Sequence, residues 1–220
     1  MANRNTKGEE KLALIVDELE KDIKIKTEVD NRIKEFIDFQ KRSSHDWFGE
    51  LAYCLLTAYS SALMGEKCVE KLSNDGFLFI GKLEDVTVCL KSQGHRFAER
   101  RAEYIIKARK YIENLKQIIQ SHQSTYAARD WLVTNISGLG MKEASHFLRN
   151  VGYLNLAIID RHILAHMKET GLIADDHKSI TRKRYLEYEH ILENVSNRLN
   201  MDLGEMDLYL WYKKTGKVMK

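Results

Sequence analysis

The 220-residue sequence contains no proline. No ring removes a backbone N–H or clashes with a preceding turn, so helices can run on until glycine or a capping residue stops them. Cysteine is scarce. Cys54, Cys68 and Cys89 are odd in number, widely separated and flanked by apolar residues, which excludes a disulfide framework and a zinc knuckle and points to buried free thiols. An iron–sulfur cluster needs four closely placed thiolates, which this chain cannot supply. Long apolar runs are missing too: none approaches the roughly 18 residues of a membrane-spanning helix. In the N-terminal MANRNTKGEEKLALIVDELEK the acidic residues lie inside the apolar stretch, where a secretory signal would not tolerate them. A soluble protein that stays inside the cell and has no membrane partner is expected.

A strong charge of one sign is also lacking. Thirty-five basic residues face 32 acidic ones, a net +3 that is too weak to suggest nucleic acid by itself. The basic residues are nevertheless clustered. Arg96, Arg100, Arg101, Lys107, Arg109 and Lys110 form one group, Arg182, Lys183 and Arg184 a second, and Lys213, Lys214, Lys217 and Lys220 a third. Each alone reads as a solvated helix face.

With 44% hydrophobic residues the chain can bury a substantial core, as one domain over 1–220 or two closely packed subdomains. Apolar residues recur at helical spacing, so the fold class is all-α. Val29, Ile33, Phe36 and Ile37 make one stripe; Tyr104, Ala108, Ile112 and Leu115 make another, on a later helix. Breaks are expected at Ser73 to Gly76, Ser92 to His95, Ser137 to Gly140 and near Gly171. Phe77 to Ile80 reads as a short extended piece, and there is no internal repeat.

The informative stretch runs from Arg129 to Tyr153 and reads as helix, tight glycine turn, helix, a hairpin of about 126–150. Gly138 and Gly140 permit backbone angles closed to other residues, and Leu139 between them can point into the angle between the helices. Backbone N–H groups exposed at the start of the second helix, where the macrodipole is positive, can hold a DNA phosphate. Two residues past Gly140 stands Lys142, and 18 residues further on comes Asp160, in IleIleAspArgHisIleLeu. Taken singly, a lysine near a helix start is ordinarily a solvated charge, and Asp160 can simply be the N-cap of the helix beginning ArgHisIleLeuAla. Taken together they match what a glycosylase of the lyase type needs: an amine to attack the sugar C1′ and a carboxylate to steady the positive charge as the base departs. Deprotonating an ordinary lysine at pH 7 costs about 4 to 5 kcal/mol. The positive end of the hairpin's second helix and desolvation by DNA and the Ile158–Ile159 segment both act to reduce that cost.

The order GlyLeuGlyMetLysGluAla followed by IleIleAspArgHisIle resembles the helix-hairpin-helix, Gly/Pro-rich loop and aspartate superfamily of DNA glycosylases, with a loop that here lacks proline. Cys54 to Ala62, His95 to Ile105 and the terminal LeuTrpTyrLysLysThrGlyLysValMetLys extend the likeness. These segments resemble the short 8-oxoguanine DNA glycosylase/lyase type 2 enzymes of archaea and some bacteria, from about residue 45 to the end. The resemblance implies two helical subdomains with a cleft that receives a flipped nucleotide. It implies a Schiff base on Lys142 assisted by Asp160, then β-elimination, with no metal or cofactor. Double-stranded DNA containing 8-oxoguanine is the implied partner, in the cytoplasm or nucleoid of a prokaryote, for an enzyme taken to be a monomer. Gly138, Leu139, Gly140, Arg161 and His162 become expected DNA contacts. Trp211, the carboxylate of Lys220 and Phe97 become expected base-pocket residues, although core packing is the alternative for Trp211 and Phe97. A non-catalytic DNA-binding module and a glycosylase for another oxidised base are the alternatives to this function. Tyr59 departs from the pattern, standing where a polar amide residue is expected near the base left opposite the lesion. Nothing beyond packing is assigned to the segment before residue 45.

Overall fold

The computed structural model describes residues 2–174 and 180–220, and among them every regular element is helical. The chain divides into two compact units, 40–151 and the combination of 1–39 with 152–220. Among the described residues no helix is long and apolar enough to cross a membrane.

The central unit comprises α3 (Ser44–Thr57), α4 (Ala62–Asn74), α5 (Leu83–Ser92), α6 (Ala98–Ala108), α7 (Leu115–Gln120), α8 (Thr125–Asn135) and α9 (Met141–Asn150). Helix α3 is its hub, packed against α4, α6, α7 and α9. After its first turn the sequence is mostly apolar, and Trp47, Phe48, Leu51, Leu55 and Leu56 are all buried. Ser43 starts it in a reciprocal cap: its hydroxyl accepts from Asp46 N–H and its own N–H donates to the Asp46 carboxylate. At the far end two buried side chains hold the last carbonyls. His95 Nε2 donates to Leu56 O at 2.9 Å and Arg101 Nη2 to Ala58 O at 2.8 Å.

The second unit joins α1 (Ala2–Glu20) and α2 (Ile23–Phe39) to α10 (Arg161–Glu169), α11 (Arg182–Leu199) and α12 (Leu203–Thr215). Leu12 and Val16 of α1 are fully buried, and α1 packs on α11 and α12. Arg198 of α11 reaches Glu9 of α1 at 3.4 Å. The segment before residue 45 therefore supplies much of this unit's packing.

Three expectations need correction. Tyr104 to Leu115 is not one helix: α6 ends at Ala108, a 3-10 turn takes Arg109–Tyr111, and α7 begins at Leu115. Phe77 to Ile80 is a turn rather than an extended piece. One residue ties these departures together. The half-buried Arg109 guanidinium donates to the carbonyls of Phe77, Leu78 and Gly81, folding that loop back beside the break. In α2, Val29 and Phe36 are buried but Ile37 is 48% exposed, so the stripe is narrower than its spacing suggested. The four breaks fall where expected, and Gly76, Gly94, Gly138 and Gly171 all carry positive φ. Cys54, Cys68 and Cys89 are buried free thiols, and burial pushes Cys68 up to about 11, far from reactive.

His166, 1% exposed on α10, gives this fold a pH signature. Burial holds its imidazole below the ordinary value, against the Leu210 carbonyl it bonds, with Lys214, Glu169 and His162 as the charged neighbours. A depressed value means that the unfolded chain binds the proton first, so the stabilising effect of the neutral ring is complete above about pH 6.5 and declines as pH falls through the folded value. Denaturant titrations are expected to show wild type losing stability relative to His166→Gln between about pH 7 and pH 5. Parallel stability profiles would contradict this.

Candidate active site

Helices α8 and α9 are the two arms of the hairpin, separated by five residues from Ile136 to Gly140. Leu139 is buried at 6% exposure, as a residue pointing into the angle between the arms must be. Gly138 has φ +92°, and a Cβ there would lie 2.2 Å from Cδ2 of Tyr104, so both its backbone angle and its neighbour demand glycine. Gly140 is different. Its φ of −97° and ψ of −173° are extended backbone open to any residue, and a Cβ would meet only Glu143 Oε2 at 3.3 Å. The expectation that both glycines serve special angles therefore holds at Gly138 alone.

Lys142 is the second residue of α9, with its side chain 28% exposed. Its neighbour Glu143 reaches back to accept from Gly140 N–H at 3.3 Å, and the other carboxylate oxygen lies 4.0 Å from Lys142 Nζ. The rest of α9 is buried from Ala144 to Asn150, polar residues included. Arg129 of α8 donates to Ser145 Oγ at 3.1 Å. Asn150 donates to Glu50 of α3 at 2.7 Å while accepting from Arg149 at 2.9 and 3.0 Å.

Asp160 caps α10. Its Oδ1 accepts from His162 N–H at 2.8 Å and Ile163 N–H at 2.9 Å, the capping role open to it from sequence. The irregular strand of chain before it is buried from Leu156 to Ile159. Two α11 side chains hold it there. Tyr185 Oη donates to Ala157 O at 2.7 Å and accepts from Ile159 N–H at 3.3 Å, and Glu189 accepts from Ala157 N–H at 3.0 Å. Sequence reasoning missed this pair. Their i, i+4 spacing on a buried helix face was the available signal, but nothing in it named their partners.

Arg161 is exposed, with Nε donating to His162 Nε2 at 3.3 Å, and the His162 ring stands edge-on to Trp211 at 4.8 Å between centroids. Trp211 lies near the end of α12, partly buried. After α12 the chain turns at Gly216, φ +69°, and Lys217 to Lys220 follow, with Lys220 partly buried. In the central unit Phe97 is half-buried at the start of α6, with Arg96 5.0 Å over its ring and Tyr59 6.4 Å away. Tyr59 is 88% exposed at φ +61°, a left-handed angle that costs a non-glycine residue about 1–2 kcal/mol. Arg101 and Arg109 hold backbone carbonyls, leaving Arg96, Arg100, Lys107 and Lys110 as the exposed members of their cluster. Among the described residues no three His, Cys, Asp or Glu side chains are grouped to hold a metal ion.

Lys142 thus stands at the head of the hairpin's second helix and Asp160 at the cap of α10. The profile of the family described as 8-oxoguanine DNA glycosylase matches residues 29–201. The chain belongs to the 8-oxoguanine DNA glycosylase family. It is 47% identical over 205 residues to the 8-oxoguanine DNA glycosylase/AP lyase of Methanocaldococcus jannaschii, covering 93% of this chain and 97% of that one. The Korarchaeum cryptofilum protein of the same description is 44% identical over 211 residues, covering 93% and 99%. The crystal structure of the M. jannaschii 8-oxoguanine glycosylase/lyase in complex with 15mer DNA containing 8-oxoguanine superposes with a TM-score of 0.90, at 45% identity over 95% of this chain and 99% of that one. These likenesses bear out the all-α glycosylase fold expected from sequence.

The two hairpin glycines provide a test. Gly138→Ala is expected to lower stability by about 2–4 kcal/mol, from the left-handed angle plus the clash with Tyr104. Gly140→Ala should cost less than about 1 kcal/mol. Equal losses in urea melts would refute the distinction.

Proposed function

We propose that this member of the 8-oxoguanine DNA glycosylase family excises 8-oxoguanine from duplex DNA and then cleaves the strand at the resulting abasic site, with Lys142 as nucleophile and Asp160 as its carboxylate. The observation that carries the reading is the near full-length likeness to a glycosylase/lyase solved with 8-oxoguanine DNA, combined with a partly exposed lysine at the head of the hairpin helix. The Lys142 amine attacks C1′ as the glycosidic bond breaks, its electron pair leaving with the base. Asp160, whose Oδ1 is fixed by two backbone N–H groups, faces the positive charge that develops on the sugar. The amine then gives up a proton and expels O4′ as a hydroxyl, opening the sugar to a Schiff base; this draws electrons when the C2′ proton is removed, and the C3′–O bond breaks with the phosphate as leaving group, nicking the strand.

The hairpin turn Gly138, Leu139 and Gly140, together with Arg161 and His162, is assigned to DNA phosphates, which position the duplex without reading its sequence. Phe97, Trp211 and the Lys220 carboxylate are assigned to the flipped base. No metal or cofactor takes part in this scheme. The two units act as one glycosylase domain, a monomer, and the enzyme works where the chromosome is, in a prokaryotic cytoplasm or nucleoid.

Borohydride reduction on an oligonucleotide carrying 8-oxoguanine tests the chemistry. Wild type is expected to give a covalent adduct and Lys142→Gln none. Asp160→Asn should bind the duplex yet form adduct at least about a hundredfold more slowly. Binding without adduct in wild type would make the chain a DNA-binding module instead. Extending the chain by a few residues beyond Lys220 should weaken discrimination of 8-oxoguanine from guanine more than it weakens binding to undamaged duplex. Equal losses would remove Lys220 from the pocket.

A further inference from the structure

One face of α10 carries three contacts to α12, spaced at four and three residues. The His162 ring meets the Trp211 ring edge-on at 4.8 Å. His166 Nε2 donates to the carbonyl of Leu210, the residue before Trp211, at 2.9 Å. The Glu169 carboxylate receives Lys214 Nζ at 2.7 and 2.8 Å, one per oxygen. The outer contact is exposed and worth little alone, and the ring contact ends at a half-open surface. The middle one is sealed. A carbonyl can only accept, so His166 must carry its proton on Nε2, and its 1% exposure excludes water as a substitute donor. Leu210 is itself fully buried, and its peptide leads directly into Trp211. The Trp211 carbonyl in turn accepts from Thr215 Oγ1 at 2.9 Å, and that hydroxyl accepts from Lys217 N–H at 3.4 Å. The His166 contact and the Thr215 contact therefore hold successive carbonyls of α12, joined by the backbone, just before the C-terminal tail.

We propose that His166 is a positioning residue for lesion recognition: by holding the Leu210 carbonyl it sets where Trp211 and the tail ending in Lys220 stand, without entering the bond-breaking steps. The inference rests on the assignment of Trp211 and Lys220 to the base pocket. Asp160 stands at the start of α10, fixed by its own two backbone bonds, and Tyr185 and Glu189 hold the chain just before it, none of which runs through His166. Loss of the His166 contact accordingly displaces the pocket and leaves the carboxylate in place. Excision of 8-oxoguanine needs both groups; cleavage of a preformed abasic site needs only the chemistry.

The test compares those two single-turnover rates in the full chain. His166→Asn places its N–H at the Nδ1 position, short of Leu210 O, whereas His166→Gln places it where Nε2 stands. The Asn variant is expected to lose about tenfold in excision while keeping abasic-site cleavage within about twofold, and the Gln variant to stay within about threefold on both, since misplacing a contact by an ångström costs factors of ten or more. Lys214→Met, which opens only the exposed contact, should stay within about twofold of wild type on both rates, so a larger loss there than in His166→Asn would shift the positioning role to the surface pair and overturn the proposal. The proposal is overturned if the Asn and Gln variants behave alike, or if the Asn variant loses both rates in equal measure. Trp211→Ala separates the two layers of argument: unimpaired excision there would end the pocket assignment itself, while impaired excision beside an indifferent His166→Asn would end only the role of His166.

Discussion

The site depends on α9 being seated by polar side chains that have left water. Arg129 against Ser145 and Asn150 against Glu50 fix both the rotation and the height of the helix, because a hydrogen bond at 2.7–3.1 Å tolerates little sliding. An all-apolar interface would stabilise the helix comparably but could be satisfied by several registers. Removing one partner leaves a buried polar group unsatisfied, which costs about 1–3 kcal/mol, so the registers that break these bonds are penalised. Lys142 projects from the opposite end of this anchored rod. Its position is therefore set by side chains up to eight residues away along α9, and by α3.

The two proposed catalytic residues stand at helix starts, with opposite effects on their helices. An aspartate at the N-cap stabilises α10, whereas a lysine in the first turn of α9 opposes the positive end of its dipole. Glu143 compensates, placing a carboxylate between Gly140 N–H and the ammonium group. A local rule broken beside an evident local remedy marks a residue retained for something other than folding.

What could be read from sequence was what depends on short range. The breaks at Gly76, Gly94, Gly138 and Gly171 follow from glycine and the angles it permits, and the cap at Asp160 from its place before ArgHisIleLeu. The hairpin was legible because a glycine turn between two periodic segments is a local pattern. Contacts between distant residues were not. Arg109 reaches about 30 residues back to the 77–81 loop, and that reach splits what periodicity presented as one helix. Tyr185 and Glu189 act on residues 26 to 32 positions earlier, and Arg101, counted among the surface charges, is buried on the Ala58 carbonyl. Each is a long polar side chain whose partner is a backbone group, and backbone groups are the same at every residue.

The way the chain threads through its two units bears on its synthesis. Residues 40–151 form one continuous stretch, so the unit containing the hairpin can close on itself as soon as it has left the ribosome. The other unit is built from both ends of the chain, with α1 packed on α11 and Glu9 paired to Arg198. Until those last helices emerge, α1 has chiefly α2 to pack on, and the contact with α11 that covers the rest of its apolar face closes a loop of about 185 residues. The lysine-bearing unit can thus take its shape first, and the unit holding the aspartate only after α11 and α12 have been made.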